Sequence, residues 1–126
     1  MDKIGIQRLS ERIKFPDAAG IWYYRNKRGI SDLDLFNLYI EDLSKQNVRG
    51  TITDRYGRAS FEGVWTKAIV SFKKRYETRR DSAGFDYHGT LIGNYLYQGN
   101  FSDLSHKAQE EQGFIIKITP DLLGRL

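Results

Sequence analysis

The stretch YHGTLIGNYLYQGNF, residues 87–101, repeats a three-residue pattern of an aromatic residue, any residue and a glycine. The copies are Tyr87-His88-Gly89 and Tyr97-Gln98-Gly99, and an earlier one is Phe61-Glu62-Gly63. In a strand, the aromatic residue and the glycine of each copy point to the same face. A glycine on an inner face relieves crowding where strands coil strongly, and the aromatic side chain two residues earlier is predicted to cover the gap. The pattern therefore indicates a small, strongly coiled barrel.

Alternation with a period of two extends beyond this stretch. In TKAIVSFKKRY (66–76), one face carries Ala68, Val70, Phe72, Lys74 and Tyr76, which is typical of a strand. The only prolines, at positions 16 and 120, lie outside the region of alternation, as a sheet requires. We predict eight strands near residues 20–25, 34–42, 47–54, 58–65, 67–77, 84–91, 94–101 and 113–119.

The connections between these strands are mostly too short for crossover helices. DRYG (54–57) has the signature of a type I turn, IGN (92–94) that of a tight hairpin, and SKQN (44–47) is polar and turn-like. Short connections require antiparallel neighbours, and a meander of this length avoids exposed edges by closing. The prediction is an all-β, eight-stranded antiparallel up-and-down barrel.

The N-terminal segment follows a different period. Ile6, Leu9 and Ile13 have helical spacing with charged residues between them, which predicts a short amphipathic helix. We expect one domain over residues 1–126, with the helix and lead-in over 1–19, the barrel over 20–119 and a C-terminal tail over 120–126. The region 26–33 is expected to be a loop, and the longer loops fall at 78–83 and 102–112.

Composition restricts the class of protein. The chain has 126 residues, no cysteine, a net charge of +4 and a pI of about 9.3. There is no disulfide framework and no apolar run near the roughly 20 residues of a membrane span. These features favour a cytoplasmic protein with one substantial core and a mild preference for anionic partners.

Gly20-Ile21-Trp22 follows the predicted helix and opens the first strand. This order resembles the calycins, which are the lipocalins, fatty-acid-binding proteins and avidins. The resemblance implies that Trp22 packs at the closed end of the barrel beneath a basic side chain, for which Lys117 and Arg125 are candidates.

A looser resemblance runs from GTITDRYGRASFEG through FKKRY, YHG and YQG to GFIIKI, and is to a small lipocalin-like domain of microbial and plant proteins. It supports the barrel and implies no activity. The matching residues are Gly50, Asp54, Gly57, Phe72, Lys74, Tyr76, Tyr87, Gly89, Gly99, Gly113 and Phe114.

Departures from the calycin subfamilies argue against their cofactors and ligands. Avidins hold biotin among several tryptophans, whereas this chain has only Trp22 and Trp65. The region 26–33 is too short for the helical lid of fatty-acid-binding proteins. Haem-binding relatives need an axial histidine, but His88 is predicted to face outward and His106 lies in a polar segment. We therefore expect no cofactor.

The predicted inner face is strongly aromatic, and an eight-stranded barrel is wide enough either to fill itself or to hold one small ligand. Both readings remain open, because converging tyrosines fit a polar-tipped pocket as well as a packed core. The inner face is predicted to carry Trp22, Tyr24, Phe36, Phe61, Trp65, Phe72, Tyr76, Phe85, Tyr87, Tyr95, Tyr97, Phe101 and Phe114.

Lys74 is the unusual residue of this face, because a lone buried ammonium is costly. It either extends to the rim, or pairs with Asp54 or Glu41, or contacts the carboxylate or phosphate of a ligand. Asp54 is otherwise expected to stabilise its turn. The candidate ligand-binding residues are Lys74, Tyr76, Tyr87, Tyr97, Tyr95 and Trp65, and the candidate structural residues are Gly20, Trp22, Gly63, Gly89, Gly99 and Arg125.

These residues predict binding of a small, partly apolar, anionic molecule in the barrel mouth. The alternative is a solid barrel that binds a protein or, as the weaker case, a nucleic acid through its basic outer surface. The basic clusters are Arg25, Lys27 and Arg28; Lys73, Arg75, Arg79 and Arg80; and Arg55 with Arg58. A third hypothesis is a small barrel enzyme, although no nucleophile-elbow, phosphate-loop or metal-ligand motif is present. The sequence does not specify an oligomeric state.

Overall fold

The structure is a computed structural model that describes residues 14–78, 83–104 and 110–126. Eight antiparallel strands form a closed barrel in chain order, which confirms the predicted all-β barrel. This architecture is compatible with a calycin-like fold. The strands are β1 (Ala18–Asn26), β2 (Gly29–Ser44), β3 (Asn47–Asp54), β4 (Gly57–Trp65), β5 (Ile69–Tyr76), β6 (Phe85–Gly93), β7 (Leu96–Asp103) and β8 (Glu111–Ile118).

The barrel closes where its last strand pairs with its first. β8 runs antiparallel to β1 from Ala18 opposite Ile118 to Arg25 opposite Glu111. All other pairings join consecutive strands, so the chain moves up and down around the ring. A closed ring satisfies the backbone groups that an open sheet would leave at its edges.

The two ends of the barrel differ. The open end carries the β1–β2, β3–β4, β5–β6 and β7–β8 connections, and the closed end carries the other three connections. After β8, a short helix α1 (Pro120–Arg125) packs at the closed end with Leu122 buried in the core. The Thr119 side chain accepts a hydrogen bond from the backbone N–H of Leu122, and Pro120 opens the first turn, so the helix has a regular N-cap.

Helix α1 replaces the tail predicted over 120–126. The helix predicted around Ile6, Leu9 and Ile13 lies outside the described residues. Residues 14–17 of the predicted lead-in are not helical, and β1 begins at Ala18, two residues before the predicted barrel start. No helix among the described residues is long and apolar enough to cross a membrane.

Two predicted connections are wrong in detail. The loop expected at 26–33 is a two-residue turn, because β2 begins at Gly29 and its polar first half belongs to the sheet. The β6–β7 turn lies at 94–95 rather than 92–94, and places Tyr95 at a φ of 63°. Tyr95 therefore lies in a turn at the closed end and not on the inner strand face.

Five glycines of the wall lie opposite aromatic residues of neighbouring strands, whereas Gly89 lies opposite Gly99. The predicted cover by the aromatic residue two positions earlier is wrong, because the nearest side-chain atoms belong to Phe72 at Gly63 and to Phe114 at Gly89, and the nearest atoms at Gly99 are backbone atoms. This cross-strand arrangement lets the backbones approach closely while an aromatic ring fills the space of the missing side chain. The opposed pairs are Gly20 with Phe36, Gly50 with Phe61, Gly63 with Phe72, Gly99 with Phe114 and, on the outer face, Gly113 with Tyr23.

The inner side chains fill the closed end of the barrel. This part of the core contains Leu38, Val48, Trp65, Tyr97 and Ile116, each at most 2 % exposed. The core extends without interruption to Leu122 of α1. The closed half is thus a packed core, and space for a ligand lies at the other end.

Candidate ligand-binding site

A cavity of about 490 Å³ occupies the open end of the barrel, and we call it the mouth cavity. Its floor and inner walls are buried side chains, and its rim is partly exposed. Seven aromatic residues, three carboxylates, one lysine and one serine line it: Trp22, Tyr24, Ser31, Asp32, Tyr56, Lys74, Tyr76, Phe85, Tyr87, Phe101, Asp103 and Glu110.

The Asp54 carboxylate lies behind the floor of the cavity, at the end of β3. Its Oδ2 accepts hydrogen bonds from Lys74 Nζ at 3.0 Å, from Trp22 Nε1 at 3.2 Å and from the Tyr76 hydroxyl. Its Oδ1 accepts from the backbone N–H of Tyr56 at 2.9 Å. Asp54 therefore stabilises the β3–β4 turn, as predicted, and also joins three strands through their inner side chains.

Lys74 does not extend to the rim. Its side chain is 2 % exposed, and that of Asp54 is fully buried. Besides Asp54, Lys74 Nζ donates to the Tyr87 hydroxyl at 3.4 Å and lies 4.5 Å from the centre of the Tyr76 ring. Of the two carboxylates proposed from the sequence, Asp54 is the partner, whereas Glu41 is exposed on the outer wall.

The pKa shifts of this group agree with a charged pair. Burial would raise the pKa of Asp54, but the Tyr76 hydroxyl, the Lys74 ammonium and the Tyr56 N–H together lower that pKa below its ordinary value. Burial lowers the pKa of Lys74, and the Asp54 charge opposes this shift. The pKa of Tyr87 is raised well above its ordinary value, mainly by burial, so Tyr87 remains neutral.

Trp22 faces the open end rather than the closed end. Its ring is buried, stacks on Tyr56 and lies 5.3 Å from the Arg55 guanidinium carbon. The basic group over Trp22 therefore comes from the β3–β4 turn, which corrects the expectation that it would be Lys117 or Arg125. Arg125 belongs to α1 at the closed end, and Lys117 is exposed on β8.

The structure brings together three of the six candidate ligand-binding residues. Lys74, Tyr76 and Tyr87 share the floor of the mouth cavity. Trp65 and Tyr97 lie in the packed closed half, where the Tyr97 hydroxyl donates to the Thr66 carbonyl at 2.7 Å. Trp65 Nε1 has no hydrogen-bond partner among the described residues.

The rim was missed by sequence reasoning. Asp32, Asp103 and Glu110 were assigned to loops, because polar residues near turns resemble solvated connections. Tyr24 and Phe101 were predicted to face inward, but nothing marked them as neighbours. The predicted topology is enough to group these residues. In an up-and-down barrel, the C-terminal ends of β1, β3, β5 and β7 lie at the same end of the barrel.

The floor of the cavity combines aromatic rings with a buried cation. Lys74 has three N–H donors, and Asp54 and the Tyr87 hydroxyl are its hydrogen-bond acceptors among the described residues. The described residues contain no group of three histidines or carboxylates placed to hold a metal ion. Comparison with protein-family models, curated proteins and solved structures gives no match to this chain.

Proposed function

We propose that this barrel binds a small, partly apolar molecule in its mouth cavity. The observation that carries the proposal is the contrast between the filled closed half and the cavity of about 490 Å³ at the open end. Ligand pockets have volumes of roughly 300–1,000 Å³ and combine apolar walls with a few polar groups. The aromatic wall and the Lys74 N–H donor supply both, on strands that are rigidly paired.

We also propose a calycin-like origin for the domain, on the basis of the closed eight-stranded meander with its cavity at one end. The expectation of an anionic ligand depended on a Lys74 charge available to that ligand. Because Lys74 is paired with Asp54 at 3.0 Å, its charge no longer favours an anion. What Lys74 offers is a hydrogen bond to an acceptor atom.

The test is a ligand-observed NMR screen of several hundred small fragments, followed by titration of the hits into labelled protein. We expect chemical-shift changes at mouth residues such as Tyr24 and Phe101. Ser31→Trp, at the rim, is expected to fill the entrance and weaken binding at least about tenfold. Ser60→Trp, on the outer wall, is the matched control and leaves binding unchanged.

The control also separates this proposal from binding at the outer surface. Ser60 lines a shallow outer groove with Arg49, Lys73 and Arg75. Mouth binding would be contradicted if fragment binding were weakened by Ser60→Trp and not by Ser31→Trp. A screen in which no fragment shifts the mouth residues would contradict it as well.

An interaction module is the second candidate, and an apolar outer patch favours a protein partner over a nucleic acid. Leu33 and Leu35 of β2 are 49 % and 68 % exposed and lie opposite Tyr23 and Ile21 of β1. Three residues of the basic clusters, Arg25, Arg55 and Arg58, form ion pairs with neighbouring acids, as does Arg49 on the outer wall. The ion pairs are Arg25 with Glu111, Arg49 with Asp42, Arg55 with Asp32, and Arg58 with Glu41 and Glu77.

A further inference from the structure

The apolar part of the mouth cavity is built from aromatic rings alone. Among the described residues, no aliphatic residue lines this cavity. The packed closed half, by contrast, contains Leu38, Val48 and Ile116. Residues 79–82 and 105–109, which lie outside the described residues, contain no leucine, isoleucine, valine or methionine, so they leave this contrast unchanged. The chain therefore uses aliphatic side chains where it fills the barrel and aromatic ones where it leaves a cavity.

Six of the lining rings form a closed cycle of ring contacts, which we call the aromatic collar. Consecutive ring centres lie 5.4–6.3 Å apart. The collar passes once around the barrel in strand order, from β1 through the β3–β4 turn, β5, β6 and β7 back to β1. Its members, in that order, are Trp22, Tyr56, Tyr76, Phe85, Phe101 and Tyr24.

The geometry within the collar is the one that aromatic rings prefer. Neighbouring rings meet edge to face, except Trp22 and Tyr56, which stack at an interplanar angle of 14°. In an edge-to-face pair, the positive edge of one ring meets the negative face of the next, which stabilises the pair beyond the burial of its area. A ligand that carries an aromatic ring can continue this packing. A saturated ligand of equal size gains from burial alone.

Several collar rings are held in place from outside the cavity. The Trp22 Nε1 and the Tyr76 hydroxyl both donate to the Asp54 carboxylate behind the floor. Phe101 stacks on Tyr87 with the ring centres 5.0 Å apart. A wall that is fixed in advance loses little conformational freedom on binding, and a rigid ring ligand loses little as well. The collar therefore favours a rigid ring system over a flexible chain.

We infer that the mouth cavity takes a flat aromatic compound whose ring system lies within the collar, in contact with Tyr24, Phe85 and Phe101. This inference rests on the proposed ligand-binding function and assigns the ligand class. It excludes an acyl chain or a saturated ring as the preferred occupant, because neither has the faces and edges that the collar rings pack against.

The experiment compares two alcohols with the same carbon skeleton, 2-naphthylmethanol and its saturated analogue, decahydro-2-naphthylmethanol. Each is titrated into isotope-labelled protein, with shifts followed at Tyr24, Phe85 and Phe101. Burial alone favours the saturated probe, because that probe has the larger apolar surface. We expect the opposite order, with the aromatic probe binding about tenfold more tightly. Intermolecular NOEs should join its ring protons to these three side chains.

Removing single rings tests whether the collar is the source of this preference. Phe101→Leu and Tyr24→Leu each keep an apolar side chain and remove one ring. Each is expected to weaken binding of the aromatic probe about threefold to tenfold, and to change that of the saturated probe by less than about twofold. Tyr39→Leu, on the outer face of β2, is the matched control. Thermal melts show which variants are folded, and Tyr24→Leu, at the partly exposed rim, provides the test if Phe101→Leu unfolds.

The outcomes separate this inference from the ligand-binding proposal. If the saturated probe binds at the mouth as tightly as the aromatic probe, or more tightly, the aromatic inference is wrong and the ligand-binding function stands. If the aromatic preference survives in the folded leucine variants of the collar, or is lost in Tyr39→Leu, the collar is not its source and the inference is wrong as well. If neither probe and no fragment shifts the mouth residues, both proposals fail.

Discussion

At the scale of single residues, one buried carboxylate links side chains from several strands of the barrel. Asp54 receives four hydrogen bonds, from Trp22, Lys74, Tyr76 and the backbone of Tyr56. A buried charge is tolerated when its partners satisfy it, and loss of one partner leaves the other charge unbalanced. The pair therefore pre-organises the cavity floor and makes each member intolerant of substitution alone.

Lys74→Met tests the pair directly. It is expected to destabilise the fold by about 3–5 kcal/mol, because the Asp54 carboxylate stays buried without its cation. Combining it with Asp54→Asn should cost less than the sum of the two single changes, with a coupling of about 1–3 kcal/mol in urea melts. The exposed pair of Arg49 and Asp42, at 3.9 Å, is the control and should show little coupling. Wild-type stability for Lys74→Met would show that the ion pair is not structural.

The lowered pKa of Asp54 predicts sensitivity to acid. Because the folded-state pKa lies below the unfolded value of about 3.9, the carboxylate stabilises the fold above that value, and this stabilisation is lost as the pH falls through the folded pKa. Denaturant melts from pH 7 down to pH 3 should therefore show stability falling below about pH 4. The fall should be shallower for Asp54→Asn than for the wild type, and Asp42→Asn should keep the wild-type slope. Equal slopes for Asp54→Asn and the wild type would refute the linkage.

At the scale of strands and turns, alternation predicted most of the wall, because one face of every strand is buried. β3 and β4 have bounds within a residue of those expected, and Lys74 lies on the inner face between Phe72 and Tyr76. Residues 29–33 of β2 escaped detection because Asp32, their inner residue, lines the polar mouth cavity rather than an apolar core. Alternation identifies strands through burial, so it fails where a strand passes a site.

The sequence contains a local signal for the start of helix α1. Thr119-Pro120-Asp121 presents an N-cap, a proline in the first turn and an early acid, which together predict a helix start. The sequence narrowed the partner of Lys74 to two acids, Asp54 and Glu41. Choosing between them required the register of β3, β4 and β5. Long-range contacts of this kind depend on strand pairing rather than on local pattern.

The contact between β6 and β7 gives a prediction at this scale. Gly89 lies directly opposite Gly99, and a Cβ added at Gly99 would overlap the His88 carbonyl and lie 2.5 Å from the Gly89 Cα. Gly99→Ala is expected to cost about 1–3 kcal/mol, since the two strands must move apart. Gly93→Ala is the matched control, because its Cβ meets no atom within 4 Å. If Gly99→Ala melts with the wild type, the close approach does not limit the fold.

At the scale of the whole molecule, the two ends of the barrel differ in packing and polarity. The closed end is a packed core completed by Leu122 of α1, and burial of its apolar side chains stabilises the domain. The open end holds buried charges, a polar rim and the cavity. Exposed charges contribute little net stability, so the rim of the open end, unlike the buried pair of Asp54 and Lys74, is the part that can vary in chemistry without loss of the fold.

The seam between β1 and β8 has a kinetic consequence. Seven of the eight strand pairings join neighbours along the chain, whereas the seam brings residue 18 to residue 118 and closes the longest loop in the molecule. Since ordering a long loop precedes any gain from its contacts, the seam is expected to form late in folding. Tyr24 lies on this seam, so the wall that faces Phe101 is completed only in that last step. A folding intermediate with an unformed seam would hold the Asp54 and Lys74 pair already in place and lack a finished pocket.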